Sequence, residues 1–280
     1  MILVDHSTLQ YGALHQLQGQ VQDVDIFRHM VLNSIRMYNK KYRNQYGQMV
    51  LAIDSSTWRK NEFPQYKGAR KKGRTDEAEK WEKIFELFNQ VVDEFKVHLP
   101  YPVVQVKRAE ADDIIGTMTE KYHHTEKIMI VSGDKDFGQL QRYPGVRQFS
   151  PVTKKEIKVD DPEKFLFEHF LTGDATDGIP NFRSPDTVFL EEGARQKPVS
   201  KKLKETLWEN RMFLKDHLSE EEYKNFKRNE KMIDLTHTPD DVKSDIINQY
   251  EACSPCNKPQ FLNYLMKNRC KQLINDAGDF

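Results

Sequence analysis

Cysteine is scarce in this sequence, long apolar runs are missing, and neither sign of charge is in excess. The 280 residues include only three cysteines, all near the C-terminus, which argues against the disulfide framework of a small secreted protein. No run approaches the roughly 18 consecutive apolar residues of a membrane span, and the first residues lack the order of a signal peptide. We therefore expect a soluble, cytoplasmic protein with no membrane partner.

Cysteine and histidine spacing gives little support for a zinc site. Cys253 and Cys256 have the spacing of half such a site, but no second pair of ligands follows them. The simpler interpretation is two thiols in a loop, and metal binding by this pair stays open. The nine histidines show no ligand spacing either, and we interpret them as surface residues.

Positive charge is concentrated in one stretch although the formal net charge is +0, from 43 basic and 43 acidic residues. Within residues 59–74 the single acid is Glu62. The basic residues of this stretch are Arg59, Lys60, Lys67, Arg70, Lys71, Lys72 and Arg74. Such a local density suits a polyanionic partner, whereas the alternative interpretation is a solvated basic loop.

Short apolar runs predict an α/β fold with a mostly parallel central sheet flanked by helices. The runs at 2–4, 49–53, 103–106 and 128–131 have the length and β-branched content of buried strands. Helical patterns separate them, as in a parallel sheet. The clearest one lies within 81–95, where apolar residues recur every three or four positions and mark a core-facing side.

The second half of the sequence predicts a helical region. Residues 146–159 contain two short strand candidates about a polar turn. Asp161 followed by Pro162 predicts a helix start, and Ser219 with Glu222 forms a capping box that opens another helix. We therefore expect an α/β core over residues 1–155 and a mostly helical region over 156–280.

Acidic residues follow each of the four predicted strands. Asp5 and Asp54 come directly after the first two, and a further pair, Asp174 and Asp177, follows the helix that starts at Asp161. The acids after the third and fourth strands are Glu110, Asp112, Asp113, Asp134 and Asp136. Carboxyl ends of parallel strands meet at one sheet edge, where open α/β sheets bind ligands.

A cluster of so many carboxylates is best explained by cation binding. Each acid alone has a structural explanation, because aspartate favours turns and helix N-termini. Together they would repel one another unless cations are bound, and hard oxygen ligands favour magnesium or manganese over zinc. Two such ions can activate a water and stabilise the leaving oxygen of an in-line phosphoryl displacement.

Two other acidic sites are excluded by spacing. A phosphatase of the haloacid-dehalogenase type needs a second aspartate two residues after Asp5, and that position is Ser7. A calcium EF-hand starting at Asp134 needs glycine at its sixth position and glutamate at its twelfth, which here are Gln139 and Gly145.

The motifs, taken in order, resemble those of flap endonucleases, a family of structure-specific 5′ nucleases. They read ILVD at 2–5, ID at 53–54, FPQYKGAR at 63–70, EADD at 110–113, SGDKD at 132–136 and GDATDGIP at 173–180. Each motif is weak by itself, but six in the right order are specific. The resemblance covers nearly the whole chain, including the segment 219–230.

The resemblance implies two magnesium sites, in which manganese can substitute. It places Asp5, Asp54, Glu110 and Asp112 at the first site and Asp134, Asp136 and Asp177 at the second, with Asp113 and Asp174 as supporting members of the metal group. Asp112 and Asp134, with Lys67 and Arg70, are the implied catalytic residues. The ligand set of each ion stays open.

The resemblance also implies a basic arch near residues 59–80, through which a single strand passes. Tyr66 would offer a stacking face, and Lys67 and Arg70 would neutralise a phosphate. The implied nucleic-acid-binding residues are Arg59, Lys60, Tyr66, Lys67, Arg70, Lys71 and Lys72, with Lys201, Lys202 and Lys204 on a helix that starts after Ser200. Residues 181–187 lack the Gly-x-Gly of the family's helix-hairpin-helix, which leaves its potassium site in doubt.

The implied activity is 5′ to 3′ exonuclease and flap endonuclease action on RNA/DNA and DNA/DNA duplexes, including ribonuclease H activity. It would remove RNA primers from lagging-strand fragments during replication. The expected partners are forked, flap or nicked DNA and RNA/DNA hybrid, bound by a monomer. A sliding clamp and a single-strand-binding protein stay open as protein partners. The alternatives are a PIN-type ribonuclease and a non-catalytic protein that binds branched DNA.

Overall fold

The computed structural model describes residues 1–18, 23–68 and 78–280. The strands are β1 (Ile2–Asp5), β2 (Met49–Ala52), β3 (Val103–Val104), β4 (Ile128–Val131), β5 (Val146–Ser150) and β6 (Lys155–Ile157). The α-helices are α1 (His6–Gln16), α2 (Val24–Tyr46), α3 (Arg59–Glu62), α4 (Ala78–His98), α5 (Ala111–Tyr122), α6 (Pro162–Thr172), α7 (Lys201–Glu209), α8 (Leu214–His217), α9 (Glu220–Ile233), α10 (Asp240–Ala252), α11 (Lys258–Lys267) and α12 (Lys271–Asn275). Short 3₁₀ helices cover Lys135–Arg142, Arg211–Phe213, Leu235–His237 and Ala277–Asp279.

A six-stranded sheet in the order β3-β2-β1-β4-β5-β6 confirms the predicted α/β fold. The first five strands are parallel, and β1 lies in the middle, paired with β2 and β4. All residues of β1, β2 and β4 are buried, as expected for strands covered on both faces. Parallel pairing brings the carboxyl ends of β1 to β4 to the same edge of the sheet.

The strand candidates in residues 146–159 extend this sheet. β5 pairs in parallel with β4, and β6 returns antiparallel to β5, with Phe149 opposite Glu156. Exposed polar positions on β6 suit an edge strand.

The chain divides into two units that are each densely packed. Unit 1 contains residues 1–56, 79–158 and 238–280, and unit 2 contains residues 57–78 and 159–237. Unit 1 therefore includes the sheet and also the last helices, α10 to α12. The predicted domain boundary between residues 155 and 156 stays a proposal. The structure adds that the segment from Thr238 onward packs with the sheet.

Each unit has its own apolar core. In unit 1 the core includes Phe27, Ile35 and Phe95 on the helices α2 and α4. In unit 2, Trp58 and Phe63 pack with the aromatic residues of α6 and α9. Burying these large side chains, at about 1.5–3 kcal/mol each, stabilises the two frames that carry the acidic residues.

The helix starts follow the local signals in the sequence. The Asp161 side chain accepts a hydrogen bond from the Lys164 N–H at 2.9 Å. Ser219 and Glu222 form the predicted capping box of α9, and Ser200 caps α7, which carries the lysines of the predicted basic helix. Within the described residues, the helices are all too short or too polar to cross a membrane.

Candidate functional site

Asp5 lies at the carboxyl end of β1 and is held by three hydroxyl groups. Thr8 Oγ1 donates to its Oδ2 at 2.6 Å, and Ser7 Oγ donates to its Oδ1 at 2.8 Å. Ser132, at the end of β4, donates to Oδ2 at 2.8 Å. These neutral donors orient the carboxylate without cancelling its charge.

Asp54 and the start of α5 form the next part of this edge. The exposed Asp54 carboxylate accepts the Ala111 N–H at 2.8 Å. The Ser55 N–H donates to the Ala109 carbonyl oxygen at 3.1 Å. Since Glu110 and Asp112 flank Ala111, these bonds place Asp54 beside the backbone that carries the two acids. Helix N-termini also favour negative charge.

Asp134 and Asp136 follow β4, with Asp134 at the N-cap and Asp136 in the first turn of the 3₁₀ helix Lys135–Arg142. Ser132 Oγ donates to Asp5 and accepts the Asp134 N–H at 3.1 Å, so one hydroxyl joins the two acidic positions. The Asp136 N–H in turn donates to Asp134 Oδ1 at 2.9 Å. Unit 1 thus carries a group that we call the acidic rim: Asp5, Asp54, Glu110, Asp112, Asp134 and Asp136.

Gln148, a buried residue of β5, supports the loop of the acidic rim. Its Nε2 donates to the Ser132 carbonyl oxygen at 3.0 Å and to that of Asp134 at 2.6 Å. Sequence reasoning missed both Ser132 and Gln148 as site residues. Ser132 lies in a motif that could have marked it, whereas Gln148 carries no signal because its partners are 14 and 16 residues away.

Asp174 and Asp177 lie in a tight turn of unit 2. Asp174 Oδ1 accepts the N–H groups of Thr176 at 2.8 Å and Asp177 at 3.2 Å. Gly173 precedes the turn with φ +64°, where a Cβ would overlap the carbonyl oxygens of Ile179 and Pro180. Only glycine fits there.

The residues at the beginning of the predicted arch pack against this turn. Tyr66 donates its hydroxyl to Asp177 Oδ2 at 3.0 Å, and Lys67 Nζ lies 3.6 Å from the same oxygen. The Lys67 N–H also donates to the Asp177 carbonyl oxygen at 2.7 Å. Gly178, at φ +73°, leaves only 3.2 Å between a hypothetical Cβ and the Gln65 carbonyl oxygen, so the two turns approach closely.

Two of the residues predicted to contact nucleic acid are buried in unit 2. Tyr66 is 2% exposed, and its ring packs in the core of this unit. Arg59 is also 2% exposed, and its Nε donates to the Met232 carbonyl oxygen at 2.9 Å. With its guanidinium group enclosed in this way, Arg59 helps to hold unit 2 together. Both interact with their own unit in this conformation.

The other basic residues predicted to bind nucleic acid differ in their exposure to solvent. Lys60, Lys201 and Lys202 are exposed. Lys204 is partly enclosed by an ion pair with Glu168. Arg70, Lys71 and Lys72 fall outside the described residues.

Asp113 is buried, and both of its carboxylate oxygens accept hydrogen bonds. It is 0% exposed, its Oδ2 accepts the Glu110 N–H at 2.9 Å, and its Oδ1 accepts the Thr238 hydroxyl at 2.9 Å. A fully buried carboxylate with both oxygens hydrogen-bonded is consistent with the supporting position that the resemblance implies for Asp113.

Two histidines contradict the interpretation of surface residues. His169 is buried in α6, with Nε2 3.5 Å from Asp174 Oδ2. His6, directly after Asp5, is buried against the edge of the Phe95 ring, and burial lowers its pKa to about 3. Both histidines lie among the buried positions of their helices, and this helical pattern could have marked them as buried residues.

The acidic rim suits hard divalent cations. Its side chains offer carboxylate oxygens, with neither imidazole nor thiolate among them, and this donor set favours magnesium or manganese. Cys253 and Cys256 lie elsewhere, half-buried, and burial raises the pKa of both thiols. Within the part of the chain described, neither joins a group of three or more possible metal ligands.

A parallel α/β sheet with acidic residues along its carboxyl edge is typical of enzymes that act on phosphate esters with bound cations. Comparison with known families defines the class further. Residues 1–169 match the family model described as 5′-3′ exonuclease, N-terminal resolvase-like domain. Residues 161–280 match the model described as T4 RNase H, C terminal.

Known relatives agree with the family models. The chain is 32% identical over 267 residues to Ribonuclease H of Enterobacteria phage T4, covering 92% of this chain and 88% of the relative. It is 26% identical over 195 residues to DNA polymerase I of Bacillus caldotenax, covering 64% of this chain but 21% of the polymerase. Among solved structures, the 5′-exonuclease of T5 with divalent metal ions (zinc) bound has a TM-score of 0.69 at 20% identity, covering 91% of this chain and 99% of that one.

The chain therefore belongs to the 5′-3′ exonuclease family of nucleases, which confirms the resemblance of its motifs to flap endonucleases. Its similarity to the ribonuclease H of phage T4 extends over nearly the whole chain. The T5 match shows that the fold is shared.

Proposed function

We propose that this chain is a magnesium-dependent, structure-specific 5′ nuclease that removes RNA primers and adjacent DNA during replication. Its expected substrates are RNA/DNA and DNA/DNA duplexes, cut from 5′ to 3′, and flap, forked or nicked DNA, cut endonucleolytically. The observation that carries this proposal is the acidic rim: carboxylates after four strands of one parallel sheet, joined by hydrogen bonds through Ser132 and the Ala111 N–H.

The acidic rim would hold the cations, and a bound pair would activate a water and stabilise the leaving oxygen. Asp112 and Asp134 are its proposed central ligands, with Asp5, Asp54, Glu110 and Asp136. Ser132 and Thr8 donate hydrogen bonds to the Asp5 carboxylate and would hold it in place for cation binding. The assignment of Asp177, with Asp174 in support, to the same reaction rests on the motif resemblance.

The residues near the arch supply the positive charge that a phosphate needs. Lys67 lies beside Asp177, and we propose that it contacts the phosphate that is cut, together with Arg70. Lys60, Lys201 and Lys202 are exposed and would attract the backbone of the nucleic acid. Lys71 and Lys72 are proposed to add to this attraction. A solved complex of the T5 flap endonuclease contains DNA and metal ions, which supports this substrate class.

A cleavage assay on defined substrates tests the proposed function. We expect flap DNA and an RNA primer on DNA, both labelled, to be cut with Mg²⁺ or Mn²⁺ and to stay intact in excess EDTA. Asp5→Asn should reduce single-turnover cleavage by at least about 10²-fold because it removes a rim carboxylate. Asp93→Asn, which changes an exposed acid on α4, is the matched control and should cut like the wild type.

The outcomes separate the alternatives. Cleavage of single-stranded RNA with no preference for branched or primer-bearing DNA would indicate a PIN-type ribonuclease. Tight binding of flap DNA with no cleavage in either metal would indicate a non-catalytic binding protein. Full cleavage in EDTA would contradict the metal mechanism.

A further inference from the structure

The segment that begins at Thr238 reaches the start of α5, next to the acidic rim. Thr238 is 2% exposed, and its Oγ1 donates to Asp113 Oδ1 at 2.9 Å, although the two residues are 125 positions apart. Asp113 Oδ2 accepts the Glu110 N–H at 2.9 Å. One buried carboxylate therefore joins Thr238 to the backbone of a rim residue.

A second bond holds the same segment on the other side of Glu110. Arg108 Nη1 donates to Asp241 Oδ2 at 2.7 Å, and the Arg108 N–H donates to Ser56 Oγ at 3.0 Å. Arg108 has a φ of +70°, which is strained for a residue with a side chain. The turn 106–113 is thus held from two sides by the first residues of the segment.

Contacts farther along the same helices do not bear on the rim. Lys243 Nζ, one turn into α10, lies 2.7 Å from Glu120 Oε2, near the end of α5. This ion pair also joins α10 to α5, but about two helical turns away from Asp113. It therefore offers a matched control for general packing of the two helices.

We propose that Thr238 is a positioning residue that acts through Asp113 to fix Glu110 and Asp112 for divalent-cation binding. Asp113 is buried, so loss of the Thr238 hydroxyl removes a donor that helps to fix its Oδ1 and loosens the position of the carboxylate. Any shift passes to the Glu110 N–H and to the first turn of α5. The inference rests on the proposed function in one respect, that the acidic rim binds divalent cations.

Manganese binding without nucleic acid tests this role. The variants are Thr238→Val, which keeps the shape and removes the hydroxyl, Thr238→Ser, which keeps the hydroxyl, and Lys243→Met as the packing control. Calorimetry with Mn²⁺ alone gives the affinity, and thermal unfolding gives the stability. We expect Thr238→Val to weaken Mn²⁺ binding about tenfold, as for other residues that support metal ligands, while Thr238→Ser and Lys243→Met bind like the wild type.

The results distinguish a positioning role from a structural one. If Thr238→Val lowers the unfolding temperature but binds Mn²⁺ with wild-type affinity, Thr238 only supports packing and the inference is wrong. If Thr238→Val does not fold, Thr238→Ala replaces it, since the smaller side chain admits a water to Asp113. We then expect a weakening of about threefold or more, and unchanged affinity would overturn the proposal.

The inference and the proposed function can fail separately. A wild-type chain that binds Mn²⁺ but cuts none of the substrates contradicts the proposed function and leaves the role of Thr238 intact. A wild-type chain that binds no Mn²⁺ overturns both.

Discussion

At the scale of single residues, Tyr66 shows how burial changes an assignment made from a motif. Its ring is enclosed in unit 2, and its hydroxyl donates to Asp177 at 3.0 Å. A tyrosine in a basic stretch suggests stacking on a base, whereas this geometry favours orientation of a carboxylate. The two roles depend on different parts of the side chain.

Tyr66→Phe separates these roles because it removes only the hydroxyl. We expect single-turnover cleavage of flap DNA at saturating enzyme to fall about tenfold, since Asp177 loses an orienting donor. The dissociation constant for flap DNA should stay unchanged because the ring remains in the core.

Tyr223→Phe is the matched control, because it removes a hydroxyl elsewhere in unit 2 and should leave both constants unchanged. A stacking residue would give the opposite result, with wild-type cleavage by Tyr66→Phe and weaker DNA binding by Tyr66→Ala.

At the scale of elements, three helices of unit 1 meet at one partly buried ion pair. Arg28 on α2 is buried, and its Nη2 donates to Glu94 Oε1 on α4 at 2.8 Å. Tyr264 on α11 donates its hydroxyl to Glu94 Oε2 at 2.7 Å. Burial raises the pKa of Glu94, but the hydrogen bonds from Arg28 and Tyr264 outweigh it, and the pKa lies below its ordinary value of 4.5.

The lowered pKa gives Glu94→Gln a defined pH dependence. The ionised carboxylate stabilises the fold above pH 4.5, and this contribution is lost as the pH falls through the folded-state pKa. At pH 7 we expect the variant to lose about 1–2 kcal/mol of unfolding free energy, since Glu94 is partly exposed and Asp25 still pairs with Arg28. The difference from the wild type should narrow at pH 4.

Urea unfolding at pH 7, 5 and 4 measures this difference. Asp93→Asn is the control, because it changes the neighbouring acid on the exposed side of α4 and should have almost no effect. Equal stabilities of Glu94→Gln and the wild type at pH 7 would show that the junction does not depend on the charge of Glu94.

At the scale of the whole molecule, the zero net charge hides an uneven distribution. Carboxylates cluster on the acidic rim of unit 1, whereas each unit has its own core of apolar side chains. Repulsion within the rim therefore lowers stability by itself, and divalent cations should relieve it. A ligand that binds only the folded state also stabilises it by mass action.

Thermal unfolding with and without Mg²⁺ measures this coupling. At Mg²⁺ about 100 times its dissociation constant we expect the midpoint to rise by roughly 5 °C. EDTA should remove the increase and leave the far-ultraviolet circular dichroism unchanged at about 20–25 °C, because the cores stay formed. KCl at equal ionic strength is the control for screening.

Asp5→Asn provides the matched variant for this measurement, and the shift should largely disappear in it. An equal rise with KCl and with MgCl₂ would mean that screening, and not site binding, explains the effect.

The sequence by itself determined the sheet and the position of its acids. Buried strands need continuous apolar runs, and parallel strands bring their carboxyl ends to one edge, so Asp5, Asp54 and Asp134 could be placed near one another in advance. Helix starts at Asp161 and Ser219 were predictable for a similar reason, because caps depend on residues three positions apart.

Only the tertiary structure decided which side chains support these acids and which cations are enclosed. Gln148 beneath the Asp134 loop, Arg59 in the core of unit 2 and Thr238 on Asp113 all depend on partners distant in the sequence. Local periodicity encodes which face of an element is apolar, because that depends on neighbours three or four residues away. A hydrogen bond between residues 14 to 173 positions apart, as in these three cases, exists only after the chain has packed, so no local pattern records it.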